Sequence, residues 1–119
     1  MAGRYVERQE DGTRQAWQVE RLWELSKALP VRQVRIDDIA GFDQVTWFSL
    51  DGPLPTCRAV AQHAKRIYEA DLRHPVILSA RGGVMDGMHR IARAWLEGKE
   101  VIDAVRFAVN PEPDELLGS

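Results

Sequence analysis

The side chains best able to do chemistry are concentrated in Gly82-Gly83-Val84-Met85-Asp86-Gly87-Met88-His89-Arg90-Ile91-Ala92-Arg93-Ala94-Trp95. On a helix turning about 100° per residue, Asp86, His89, Arg90 and Arg93 stand at offsets of zero, three, four and seven and share one side. Met88, Ile91, Ala92 and Trp95 take the other, as a core face. The polar side begins where the helix begins, and the unpaired N–H groups and partial positive charge there favour an anion. Gly87 lets a phosphate approach the backbone, Arg90 can fork onto its oxygens and His89 can donate a further hydrogen bond. Asp86 repels a bare phosphate, so it either caps the helix or holds a divalent cation that bridges to the phosphates. A capped helix with a solvated polar face and a Gly-Gly hairpin would have the same spacing, so the pattern alone is a weak motif.

Other residues invite bland readings more than chemical ones. His63, between Val60 and Ala64, reads as a core-boundary residue, and His74 is explained by the extended backbone required before Pro75. The histidines at 63, 74 and 89 show no zinc-ligand spacing, and Cys57 reads as an inert, partly buried thiol. Trp17, Trp23 and Trp95 read as core, whereas Trp47, flanked by loops, is the aromatic placed to stack on a base. Arg58, Lys65 and Arg66 form a basic helix face, ordinarily a solvated one.

The elements that must position these groups follow from periodicity and punctuation. Residues 1–12 read as a flexible polar arm ending in Asp11-Gly12, and residues 110–119 as a loose acidic tail. Between them, 13–109 form one domain. A first helix is predicted from Thr13, its cap, to Leu29, before Pro30. A strand follows over Val31–Ile36 and a short one over Val45–Phe48. Thr56 caps a second helix to about Asp71, with Val60, Ala64, Ile67, Tyr68 and Leu72 on its apolar side. Val76–Leu78 and Val84–Met85 form a hairpin, Asp86 opens a third helix ending at Gly98, and Glu100–Val109 is the last strand. The expected fold is α+β, a small mixed sheet flanked by three helices.

Composition limits what such a domain can do. With 119 residues, 45% hydrophobic and 29% charged, the chain can bury one modest core and does not read as disordered. Sixteen Lys+Arg against eighteen Asp+Glu leave a net charge of -2, so nucleic-acid binding would need a local basic patch. A single cysteine excludes an internal disulfide and any two-cysteine metal or redox motif. No signal core or membrane-length apolar run is present, so a cytoplasmic setting without membrane attachment is expected.

The run Pro75–Leu78, the hairpin through Gly82-Gly83, Asp86-Gly87-Met88-His89-Arg90, Gly98 and a closing strand from Val101 to Phe107 resembles the ParB/sulfiredoxin superfamily, in its Asp-Gly-x-His-Arg branch. The resemblance spans about Val31 to Val109. It implies a site for the phosphates of ATP or another nucleoside triphosphate, often with Mg2+, formed by Gly87, Met88, His89 and Arg90, with Arg81 and Arg93 as lesser phosphate contacts and Asp86 on the metal or as a base. Sulfiredoxins need a cysteine where this chain has Met88, so sulfinic-acid reduction is not expected. Partition proteins continue into a helix-turn-helix, so sequence-specific DNA reading by this segment alone is not expected either. Small members of the superfamily are kinases of free serine with an acidic base outside the phosphate motif. Asp37 and Asp38 are the nearest candidates here, Asp38 joining Asp86 and His89 in the expected catalytic set, with Asp43 and Asp51 behind them. The implied activity is Mg-dependent hydrolysis of a nucleoside triphosphate or phosphoryl transfer to a small-molecule acceptor. The alternative is a non-enzymatic, nucleotide-gated or DNA-associated module that binds a protein partner, as a homodimer or otherwise.

Overall fold

A computed structural model describes residues 3–118. Along the chain come β1 (Arg4–Arg8), β2 (Arg14–Gln18), α1 (Val19–Ser26), β3 (Arg32–Arg35), α2 (Cys57–Glu69), β4 (Val76–Leu78), β5 (Val84–Asp86), α3 (Met88–Leu96), β6 (Val101–Arg106) and β7 (Glu115–Leu117). Two short 3-10 turns, Ile36–Asp38 and Ala40–Asp43, follow β3. The architecture is α+β, with three α-helices and two small sheets. One sheet is antiparallel in the order β1-β2-β7, and the other is mixed in the order β3-β6-β4-β5. β4 and β6 are parallel, so the chain must cross back between them, and β5 and α3 make that crossing.

Strand alternation divides the core into two layers. Val76 and Leu78 of β4 join Ile102 and Ala104 of β6 on one face, packed under Ile91 and Ala94 of α3 with Ile36 and Ile39. Ile77, Met85 and Val105 point through the other face, where Trp17, Leu22 and Phe107 cover them. The mixed sheet therefore lies between α3 on one side and α1 with the smaller sheet on the other. No helix among the described residues is long and apolar enough to cross a membrane.

Several expectations need correction. Within the region read as a flexible arm, Arg4–Arg8 is a strand paired along its whole length with Arg14–Gln18; residues 1 and 2 lie outside the described residues. Asp11-Gly12 turns this hairpin, with Gly12 at φ +86° and the Asp11 carboxylate accepting from the Thr13 backbone N–H at 2.9 Å. Thr13 therefore closes a hairpin and caps no helix, and α1 starts only at Val19. The tail is not loose between Pro111 and Leu117: β7 pairs with β2, and the Pro111 carbonyl accepts from the Trp17 indole N–H at 2.8 Å. Asp114 accepts from the Gln18 N–H at 2.8 Å and pairs with Arg21 at 3.2 Å, placing negative charge at the start of α1. Residue 119 lies outside the described residues.

Val45–Phe48 forms no strand. The second helix does form, with the Thr56 hydroxyl accepting from the Ala59 N–H at 3.1 Å, but its apolar side is shallow and no residue of α2 is buried. Trp23 and Trp95 are half exposed, not core, and the Cys57 thiol is exposed.

Candidate functional site

The β4–β5 hairpin is closed by Ser79 N–H to the Gly83 carbonyl and Gly82 N–H to the Ser79 carbonyl, both at 2.8 Å. It delivers Asp86 as the last residue of β5. Asp86 is thus not the helix cap that was expected; that position belongs to Gly87, at φ +113°. A Cβ on Gly87 would lie 2.6 Å from Val76 Cγ1 and 3.2 Å from Val76 Cα, so only glycine allows α3 to leave β5 while pressed on β4. The first helical hydrogen bond runs from Ile91 N–H to the Gly87 carbonyl at 3.0 Å, leaving the N–H groups of Met88, His89 and Arg90 without an intrahelical acceptor.

Asp86 and Arg90 hold each other. Arg90 Nη2 donates to Asp86 Oδ2 at 2.8 Å, and Arg90 Nη1 donates to the carbonyls of His74 and Pro75 at 2.9 and 2.8 Å. Asp86 Oδ2 also accepts from the Trp23 indole N–H at 2.7 Å. Arg90 therefore ties α3 to the chain entering β4 and to the end of β5, and Trp23 joins α1 to the same carboxylate. The Arg90 side chain is only 15% exposed, so its charge is largely spent on this brace.

His89 points to α2. Its Nε2 lies 2.8 Å from His63 Nδ1, and the two rings are within 11° of parallel, an edge-to-edge imidazole pair joined by one N–H···N hydrogen bond whose direction is set by the tautomers. The Trp47 indole lies flat over both, at 4.4 Å from the His63 ring and 4.5 Å from the His89 ring. Phe48 meets His63 edge-on at 5.3 Å. Burial, then the neighbouring His63 and Arg66, push the His89 imidazole down to about 4, against a smaller opposing pull from Asp86. Burial and Arg66 lower His63 as well. Both rings are neutral at pH 7, and Trp47, expected to face a base, is occupied by imidazoles.

Beside these groups is an open cleft of about 670 Å³, walled by the C-terminal end of α2, the chain entering β4, the start of α3 and α1. Of the expected site residues, Asp86, Gly87, His89 and Arg90 line it. The Met88 side chain instead packs against the core under α3. Arg93 donates to the Tyr68 and Ala70 carbonyls and to Glu97 at 2.9 Å, which makes it the cap of α2's last turn. Arg81 donates to the Arg8 carbonyl at 3.1 Å, away from the cleft, and the exposed Asp38 does not line it.

Residues outside the expected site, among them Trp23, Lys27, Arg66, Asp71 and His74, form the rest of the walls. Arg66 makes no ion pair with any described residue, whereas Asp71 is taken by Arg73 at 2.9 Å and Lys27 by Glu24 at 3.0 Å. A signal for Arg66 did exist, in the basic face of the second helix; none marked Trp23. Asp86 does not fit a divalent cation. Arg90 already neutralises it, its Oδ2 accepts two hydrogen bonds, and no three His, Cys, Asp or Glu gather as a metal site among the described residues. Neither protein-family models, curated proteins nor solved structures give a match to this chain.

Proposed function

We propose that this is a ParB/sulfiredoxin-like nucleotide-binding domain whose cleft takes a nucleoside triphosphate by its phosphates. The observation that carries the reading is the meeting, in one cleft, of the start of α3 (Gly87, His89 and Arg90), whose first-turn N–H groups have no intrahelical acceptor, with Arg66, which pairs with no described residue. The helix terminus supplies directed donors and Arg66 supplies a full charge that no carboxylate among the described residues has claimed. Magnesium, in this reading, arrives on the nucleotide's own phosphates and not on Asp86. The cytoplasm, where nucleoside triphosphates are abundant, is the setting it implies.

Turnover is the second part of the proposal. Of Asp86, His89 and Asp38, Asp38 does not line the cleft and the Asp86 carboxylate is held by Arg90 and the Trp23 indole, which leaves His89, at the cleft with only its Nε2 engaged, by His63. It is therefore the group to take a proton from an attacking water or acceptor hydroxyl. A non-enzymatic, nucleotide-gated module is the rival reading, favoured by the mutual satisfaction of Asp86 and Arg90. Arg66→Ala separates binding from folding, because it removes an exposed side chain with no hydrogen-bond or ion-pair partner among the described residues. Calorimetric titration with ATP, GTP and CTP, with and without Mg2+, should show binding that weakens about tenfold or more in Arg66→Ala at unchanged melting temperature. Equal affinity in the variant would remove the phosphate assignment. Phosphate release on the same samples, lost in His89→Gln, would establish turnover; binding without release would select the module.

A further inference from the structure

We infer that Trp23 is the seat for the base, so that the cleft selects a nucleotide over a bare polyphosphate; the inference rests on the phosphate reading of the same cleft. Trp23 departs from its own helix. Val19 and Leu22 of α1 are buried, yet the larger indole next to Leu22 is 45% exposed and forms part of the cleft wall. Exposed aromatic surface within a concave site is what a stacking ligand would cover. The indole N–H is already bound to Asp86 Oδ2 at 2.7 Å, so its polar edge is satisfied and what it offers a ligand is its π-face.

That hydrogen bond also fixes the ring. Asp86 is held by Arg90 at 2.8 Å, and Arg90 by two backbone carbonyls, so Trp23 is oriented relative to the start of α3 before any ligand arrives. A platform ordered in advance loses little side-chain entropy on binding. The charge pattern agrees with one orientation of the occupant. Phosphates belong toward the α3 terminus and Arg66, and the ring toward Trp23, where the exposed Glu24 and Lys27 pair can exchange its 3.0 Å contact for the edge of a base. The other tryptophans do not compete for the role: the partly buried Trp47 covers the two imidazoles, the exposed Trp95 packs near Phe42 at 6.4 Å outside the cleft, and Trp17 is buried.

The test compares ATP, GTP and CTP with inorganic tripolyphosphate, by calorimetry on the full chain and on Trp23→Leu and Trp23→Phe. Wild type should bind the preferred nucleotide about tenfold or more tightly than tripolyphosphate, the range that stacking on one aromatic ring provides. Trp23→Leu should bring the nucleotide down to the tripolyphosphate level while tripolyphosphate affinity stays unchanged, and Trp23→Phe should keep most of the preference. Equal binding of nucleotide and tripolyphosphate by wild type would overturn the platform and leave the phosphate site standing. Parallel loss of both ligands in Trp23→Leu and Trp23→Phe would overturn it too, by assigning the indole to support of Asp86. No binding of either ligand by wild type would overturn the phosphate reading and this one together.

Discussion

His89 shows how a side chain of the expected chemical type can be redirected by its neighbours. Helical spacing places it on the polar side of α3, and the structure turns it to His63 under the Trp47 indole. The consequence is measurable in stability. An unfolded histidine titrates near 6.5 and folded His89 near 4, so the unfolded chain binds more protons over that interval. The contribution of the neutral ring is complete above pH 6.5 and is lost as pH falls through about 4, with burial, then His63 and Arg66, opposing protonation and Asp86 favouring it. Melting temperature should therefore fall more steeply between pH 6.5 and 4 in wild type than in His89→Gln. Parallel curves would show that the pair does not control the titration. Arg90 carries a related lesson: with its donors on Asp86, His74 and Pro75, replacing it removes a structural brace, so Arg66 is the cleaner probe of phosphate binding.

Among the elements, the passage from β5 into α3 is the most constrained. Gly87 has both a positive φ and no room for a Cβ against Val76, which is itself fully buried. Gly87→Ala combines left-handed strain with overpacking, and a loss of about 3 kcal/mol or more is expected. Urea denaturation checks it; a change below about 1 kcal/mol would mean that α3 can lift from β4 at little cost. α2 is the opposite case. With no buried residue, it is held by its Thr56 cap, by the contacts of His63 with His89, and by Arg93 on its last carbonyls. It nevertheless forms one wall of the cleft, which places Arg66 on the least anchored helix of the three.

For the whole molecule, the two ends of the chain are parts of one structure. β2 stands between β1 and β7, so residues about a hundred positions apart share a sheet. Deleting residues 111–119 removes β7, the acceptor of the fully buried Trp17 indole N–H, and the Asp114 carboxylate at the start of α1. An unpaired buried donor alone costs about 1–3 kcal/mol, so the truncated chain should melt roughly 10 °C or more below wild type. A melting temperature within a few degrees of wild type would return the tail to a dispensable role. Because α1 carries Trp23, the same deletion is expected to loosen the cleft wall.

Where structure is local, the sequence was sufficient. The Thr56 cap and helical period mark α2, the apolar Val76–Leu78 and Gly82-Gly83 mark the β4–β5 hairpin, and Gly98 lies just past the end of α3. β3 and β6 are legible from composition and alternation, and four of the expected site residues do line one cleft. The terminal strands were not legible, because a short polar strand such as Arg4–Arg8 has no apolar alternation of its own and is stabilised by partners distant in sequence. Nor were the commitments of the site residues. Spacing along a helix determines which side chains share a face, but which of them are already satisfied depends on what other elements bring to that face. Here α1 brings Trp23 to Asp86, the chain before β4 brings two carbonyls to Arg90, and α2 brings His63 to His89 and leaves Arg66 unpaired among the described residues. Those are tertiary facts, because hydrogen bonds and ion pairs act over a few ångströms in space, whatever the distance along the chain.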